Sequence, residues 1–216
     1  ERSGNRWELG TVLRPFDAVY PAGFGSAVAV SGNIAVVGAP LVDETGAVYV
    51  FRRGESGWEE DAVLHAGDRA AGDWFGLALD IDGEEVIVGS RHDDDLGSKS
   101  GSAYIFTRGS SGWNQTAKLV ASDGGANDRF GISVAIASGR AVVGASQAGS
   151  AGAAYLFESA AGWSETAKLE DPDSTYLARY GESVAISDRY VVVGAPYDAS
   201  RGVAYVYEQV GDGWEK

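Results

Sequence analysis

The sequence predicts an all-β fold, a β-propeller of four blades with four antiparallel strands in each. Three observations lead there. Trp7, Trp58, Trp113, Trp163 and Trp214 recur every 50 to 55 residues through a chain of 216. An aromatic-Gly pair follows each of the first four by 17 residues, at Phe24-Gly25, Phe75-Gly76, Phe130-Gly131 and Tyr180-Gly181, and a Gly closing an apolar run lies 14 further on, at Gly38, Gly89, Gly144 and Gly194. Each repeat then holds four short segments of strand character, with no sustained helical period anywhere. The repeats span about 7–57, 58–112, 113–162 and 163–213, within one domain over 1–216.

Each element has its own justification. In the Trp segment WNQTAKLVA, strict alternation places Trp113, Gln115, Ala117 and Leu119 on one face and Asn114, Thr116 and Lys118 on the other. FGISVAIA and AVVGAS are small and β-branched, and Ser138-Gly139 between them reads as a tight hairpin turn, with Asp82-Gly83 in the same place one repeat earlier. GAAYLFE is apolar on both faces and reads as a buried strand. Its Tyr, and its counterparts Tyr49 and Tyr205, follow the preceding Gly by 11 residues; Tyr104 follows by 15, so the second repeat carries a four-residue insertion within RHDDDLGSKSG, Arg91 to Gly101.

The succession FG, VVGAP, AYxF and GW resembles the FG-GAP repeat, the blade unit of integrin α-subunit propellers and of many bacterial and archaeal surface proteins. Repeats one and four carry the fullest copies, Phe24-Gly25 with Gly38-Ala39-Pro40 and Tyr180-Gly181 with Gly194-Ala195-Pro196; repeats two and three depart at Gly89-Ser90-Arg91 and Gly144-Ala145-Ser146. The resemblance implies that each blade begins at FG and that the Trp segment is its outermost strand. In that phase Trp7 to Arg14 is an outer strand without a blade, and it is expected to pair with the strand containing Tyr205 and close the ring. A four-bladed ring, two chains forming eight blades and a part of a longer propeller all fit this count.

The composition excludes several function classes. There is no Cys, which removes disulfides, thiolate metal sites and cysteine nucleophiles. A net charge of −14 argues against nucleic acid and anionic membranes as partners. No apolar run is long enough to insert into a membrane. The chain starts at Glu1 and contains no Met, pointing to a processed or excised piece of a longer product. Of the two histidines, His65 falls in an outer strand and His92 beside the Asp run, with no nucleophile motif near either. No catalytic residue is assigned.

The remaining reading is a non-enzymatic, extracellular or cell-surface module that binds a protein or glycan or self-assembles; the alternative is an accessory propeller domain of a larger secreted enzyme. The loops before FG and after GAP share one end of the blades, and Asp43, Asp93, Asp128 and Asp198 mark that face as the ligand-binding one. Calcium-binding blades of the integrin type carry an Asp-rich loop between FG and GAP, and the short turns here offer none. The candidate Ca²⁺ ligands are instead Asp93, Asp95 and Ser98 of the inserted loop, where hard oxygens gather. The plainer reading of the same loop is a solvated acidic surface.

Overall fold

The computed structural model describes residues 2–3, 6–16, 22–171, 173, 176–211 and 213–216. Four four-stranded antiparallel sheets follow one another along the chain, with no α-helix among the described residues. A short hairpin of Arg2–Ser3 (β1) and Arg6–Trp7 (β2) precedes them. Blade one is Val28–Ser31 (β3), Ile34–Ala39 (β4), Ala47–Gly54 (β5) and Gly57–Leu64 (β6). Blade two is Ala78–Asp82 (β7), Glu85–Ser90 (β8), Ser102–Gly109 (β9) and Gly112–Leu119 (β10). Blade three is Phe130–Ala137 (β11), Arg140–Ala145 (β12), Ala153–Glu158 (β13) and Ser164–Leu169 (β14). Blade four is Ser183–Ile186 (β15), Tyr190–Ala195 (β16), Val203–Val210 (β17) and Gly213–Glu215 (β18). Within every blade the strands neighbour one another in chain order, with the Trp strand outermost.

The hairpin turns form where the sequence asks for them. Ser138 and Gly139 both take positive φ, 51° and 69°, which matches the right-handed twist of β11 and β12. The third strands of blades one to three, read as buried, are buried: Val48, Val50, Ala103, Tyr104, Ile105, Ala154, Tyr155 and Leu156 pack into the cores between blades, whereas in blade four Val203 and Val206 are exposed. Three of the cores join one face of a blade to the opposite face of the next, and a fourth holds Tyr49 and Phe51 of blade one with Leu13 of the N-terminal segment. Ile34, Val36, Val48 and Val50 of blade one meet Phe75, Tyr104 and Phe106 of blade two. Ile87 and Ile105 of blade two meet Phe130, Tyr155 and Phe157 of blade three.

The alternation read for the Trp strand is corrected. Gln115 pairs with Phe106 and Ala117 with Ile105, so Thr116 is an extra residue, a β-bulge. The same bulge recurs beside Val50/Phe51 and Leu156/Phe157. A bulge shifts the period by one, so Trp113 and Ala117 fall on opposite faces: Trp113 packs against the blade one–two core and Ala117 against the blade two–three core. Lys118 thereby lands opposite Tyr104, on the Trp113 face.

Ring closure by the N-terminal strand is not shown. The outer position of blade four is taken by β18, whose Trp214 pairs with Gln209. Residues 8–16 form no strand; they lie on blade one, where Leu13 packs against the cluster of Tyr49 and Phe51 and the Phe16 N–H donates to Glu60 at 3.0 Å. Among the described residues the four blades form an arc in which blade one packs on two, two on three and three on four.

Candidate functional site

Two constellations stand on the face formed by the loops before FG and after GAP. The first is built identically in every blade. The residue before each aromatic-Gly pair is left-handed: Gly23, Trp74, Arg129 and Arg179, with φ of 65°, 59°, 58° and 55°. Opposite it stands the third residue after the strand-two Gly, namely Leu41, His92, Gln147 and Tyr197. Its N–H donates to the carbonyl of Ala22, Asp73, Asp128 or Ala178 at 3.2, 3.3, 3.2 and 3.2 Å respectively. One backbone frame thus presents four different side-chain pairs.

These pairs stack. Trp74 and His92 rings lie 4.3 Å apart with Arg91 5.1 Å over Trp74, and Arg179 lies 4.9 Å over Tyr197. The Gln147 carboxamide, oriented to satisfy both ends, accepts from Arg129 Nη1 at 3.3 Å and donates to the Asn127 carbonyl at 3.2 Å. The result is a basic and aromatic strip on a chain of charge −14. Burial, and then the cations Arg91, Lys99 and Arg129, hold His92 below its ordinary pKa, so it is neutral at pH 7. Burial, and then Arg129, likewise lowers Arg91, whose Nε is buried without a hydrogen-bond partner. Between blades three and four the strip opens into a cavity of about 620 Å³, lined by Asn127, Ser146, Gln147, Tyr176, Arg179 and Tyr197.

The second constellation is acidic. Carboxylate oxygens of Asp68, Asp93 and Asp95 lie within 4.8 Å of one another, a grouping that could hold a metal ion. Lys118 Nζ sits among them, 2.6 Å from Asp68, 3.1 Å from Asp93 and also bonded to Asp95. The Tyr104 hydroxyl lies 2.8 Å from Asp93 and 2.9 Å from Asp68. Burial works against the Lys118 charge, but Asp68, Asp95 and Asp93 outweigh it and hold the ammonium above its usual pKa. Burial would raise Asp68; the bonds from Lys118 and Tyr104 bring it below the ordinary carboxylate value. Burial first and Asp93 second push the Tyr104 hydroxyl far up. Blade three repeats the device: Asp123 lies 2.8 Å from both Tyr155 Oη and Lys168 Nζ. In blade four Tyr205 bonds Asp198, and Lys216 lies 3.2 Å from Asp171.

A comparison with protein families matches the FG-GAP repeat to residues 7–51, 58–106, 113–157 and 163–207. The chain belongs to the FG-GAP repeat family. A comparison with curated proteins finds no match. No helix among the described residues is long and apolar enough to cross a membrane.

In the FG-GAP frame the sequence-derived site residues separate. Asp93 is buried at 4% exposure and joins Asp95, but the third carboxylate is Asp68, from the loop before FG. Ser98 stands aside, its carbonyl accepting from the Asn127 N–H at 2.8 Å. Asp198 is buried against Tyr205; Asp128 accepts from the Gly125 N–H at 2.7 Å and so caps its own turn; Asp43 is exposed in the 3-10 turn Val42–Glu44. The four face residues Asp43, Asp93, Asp128 and Asp198 therefore sit in four blades without forming one site. His65 bonds the Gly46 carbonyl through Nδ1 at 3.3 Å.

Sequence reasoning missed Asp68, Lys118 and Tyr104 as a unit, although signals existed. An Asp follows Trp58 and Trp113 by ten residues, and a Lys follows Trp113 and Trp163 by five. It also missed the basic strip, whose signal is Arg129 and Arg179 immediately before aromatic-Gly pairs and Arg91 two residues after Gly89.

Proposed function

We propose that this FG-GAP chain is a non-enzymatic binding module of the extracellular space or cell surface, and that its loop face takes an acidic glycan along the Arg91–Arg129–Arg179 strip. The observation carrying this reading is the concentration of Arg and aromatic side chains on one face of a chain that is otherwise strongly acidic, with Arg129 and Arg179 at equivalent positions of a fixed frame and Arg91 over Trp74, their counterpart in blade two. Guanidinium forks suit carboxylates, Tyr faces suit the apolar face of a sugar ring, and the Asn127 and Gln147 amides suit its hydroxyls. Loops on a rigid scaffold are where propellers place such groups. The cell-surface placement rests on the family resemblance.

The acidic cluster of blade two has a different role in this reading. Lys118 supplies the positive charge that Asp68, Asp93 and Asp95 require, and calcium would have to displace it. The cluster is a clasp tying the loop before FG to the blade.

A glycan array carrying uronate, sialylated and neutral oligosaccharides tests the proposal. Binding is expected to acidic glycans, with a loss of tenfold or more in Arg179→Gln and in Tyr197→Ala. Equal binding of neutral and acidic glycans, or no binding to either, would overturn it.

A further inference from the structure

The two ends of the arc carry the two halves of one interface. The interface itself occurs three times inside the chain. At each, the backbone N–H of an FG aromatic donates to the preceding blade: Phe75 to the Thr45 carbonyl at 3.2 Å, Phe130 to Ser100 at 2.9 Å and Tyr180 to Ala151 at 2.8 Å. Beside that bond the strand-two Gly of one blade touches the FG Gly of the next. A Cβ on Gly38, Gly89 or Gly144 would come within 1.9, 2.1 or 2.0 Å of the carbonyl oxygen of Gly76, Gly131 or Gly181.

Blade four presents the giving half with nothing against it among the described residues. Val206 is 52% exposed, where its counterparts Val50, Ile105 and Leu156 are at 0%, 0% and 1%. A Cβ on Gly194 would meet only Ser183 of its own blade. Gly194 does not need glycine for its φ, so the residue is that of a contact surface without its contact. Blade one presents the receiving half. Val28 and Val30 are 69% and 67% exposed, whereas Leu79 and Ile81 at those positions in blade two are at 9% and 6%. A Cβ on Gly25 would meet nothing within 4 Å, although its counterpart Gly76 lies against the Ala47 carbonyl.

The missing parts also match. The fourth-strand pairing of β17 covers only Glu208 to Val210, leaving Val203 to Tyr207 as an edge. On blade one, Leu13 already lies against Tyr49 and Phe51 in the way Leu64 lies in the core with Tyr104 and Phe106. The segment of residues 8–16 thus covers the outer half of the receiving face, and the bare inner half is the part that the inner strands of a preceding blade would cover.

The geometry points to a second copy of this chain as the occupant: blade four of one copy seats on blade one of another, head to tail, repeating the internal interface. The two surfaces are different, so the contact is heterologous, and two copies turning through eight blades or a longer chain of copies both use it. Neither half overlaps the basic strip on the loop face, so this inference stands apart from the proposed ligand.

Sedimentation velocity on the isolated chain across a range of micromolar concentrations tests it, with circular dichroism confirming that each variant folds. The wild type is expected to form dimers or larger assemblies. Val206→Glu and Val28→Glu, each at an exposed position, are each expected to sediment as monomers. Mixed in equal amounts they are expected to recover a dimer, because each retains the half that the other has lost. A monomeric wild type would overturn the proposal and leave the end faces to some other polypeptide. So would an assembly that survives both substitutions, or a mixture of the two variants that stays monomeric.

Discussion

Lys118 shows how one side chain decides the chemistry of a loop. It is partly buried among Asp68, Asp93 and Asp95, and Asp93 is buried outright. Removing the cation leaves a buried carboxylate unpaired, so Lys118→Met is expected to lose on the order of 3 kcal/mol in chemical denaturation. The same variant is expected to gain a calcium-dependent rise in melting temperature that the wild type lacks, because the freed oxygens then have only a dissolved cation to answer them. A calcium response in the wild type equal to that of the variant would contradict the clasp. The pH dependence follows from the shifts. Asp68 and Asp123 sit below their ordinary value of 3.8, so the stability they contribute is full above pH 3.8 and disappears as the pH falls through their lowered folded values. Lys118 and Lys168 are raised above 10.5; their contribution is full below that and is lost as the pH rises through the folded values. The wild type is therefore expected to hold a stability plateau between these limits, and Asp68→Asn to lose part of the acid-side fall.

At the scale of the element, the FG-GAP glycines act between strands of different blades. Gly89 lies so close to the Gly131 carbonyl that a methyl group cannot enter without moving backbone. Gly89→Ala is expected to cost about 3 kcal/mol. Gly194→Ala, whose only close neighbour is the Ser183 hydroxyl, is expected to leave the melting temperature of the monomer nearly unchanged. Comparable losses for the two would mean that the glycines serve local backbone conformation instead of blade contact. Inner strands are joined by side chains as well: Asp80 accepts from the Ile136 N–H at 3.0 Å and Asp82 from the Ser138 N–H at 2.7 Å, across the blade two–three boundary. Asp80 and Asp82 are thus hydrogen-bond acceptors between blades. Burial raises the pKa of Asp80, which is why two backbone donors are needed to hold its charge.

For the whole molecule, the arc predicts a gradient of stability. Blades two and three have both faces covered, and blade four has one. Native-state hydrogen exchange is expected to find the slowest amides in β8, β9, β12 and β13 and faster exchange in β15 to β17, since local opening follows the amount of buried contact. Protection in blade four is expected to increase with protein concentration as copies meet. Uniform protection at every concentration would argue for a closed and independent monomer.

The sequence by itself determined the number of blades, the order of the strands within blades one to three, the insertion in blade two and the end of the molecule that carries the variable loops. Those follow from period and from spacing, which are local properties read along the chain. Tertiary structure decided the rest. The bulge at Thr116 turned Lys118 onto the Tyr104 face, where strict alternation had separated it from Trp113. Asp68, Asp93 and Lys118 come from three separate stretches and meet only when the loop before FG folds onto blade two. The basic strip arose because Arg129 and Arg179 share one left-handed position of the frame and Arg91 comes over Trp74, their counterpart in blade two, an alignment that no single repeat encodes. The outer place of blade four went to Trp214, which pairs with Gln209, a contact between near neighbours in the chain that the repeat period alone does not rank against a long-range one.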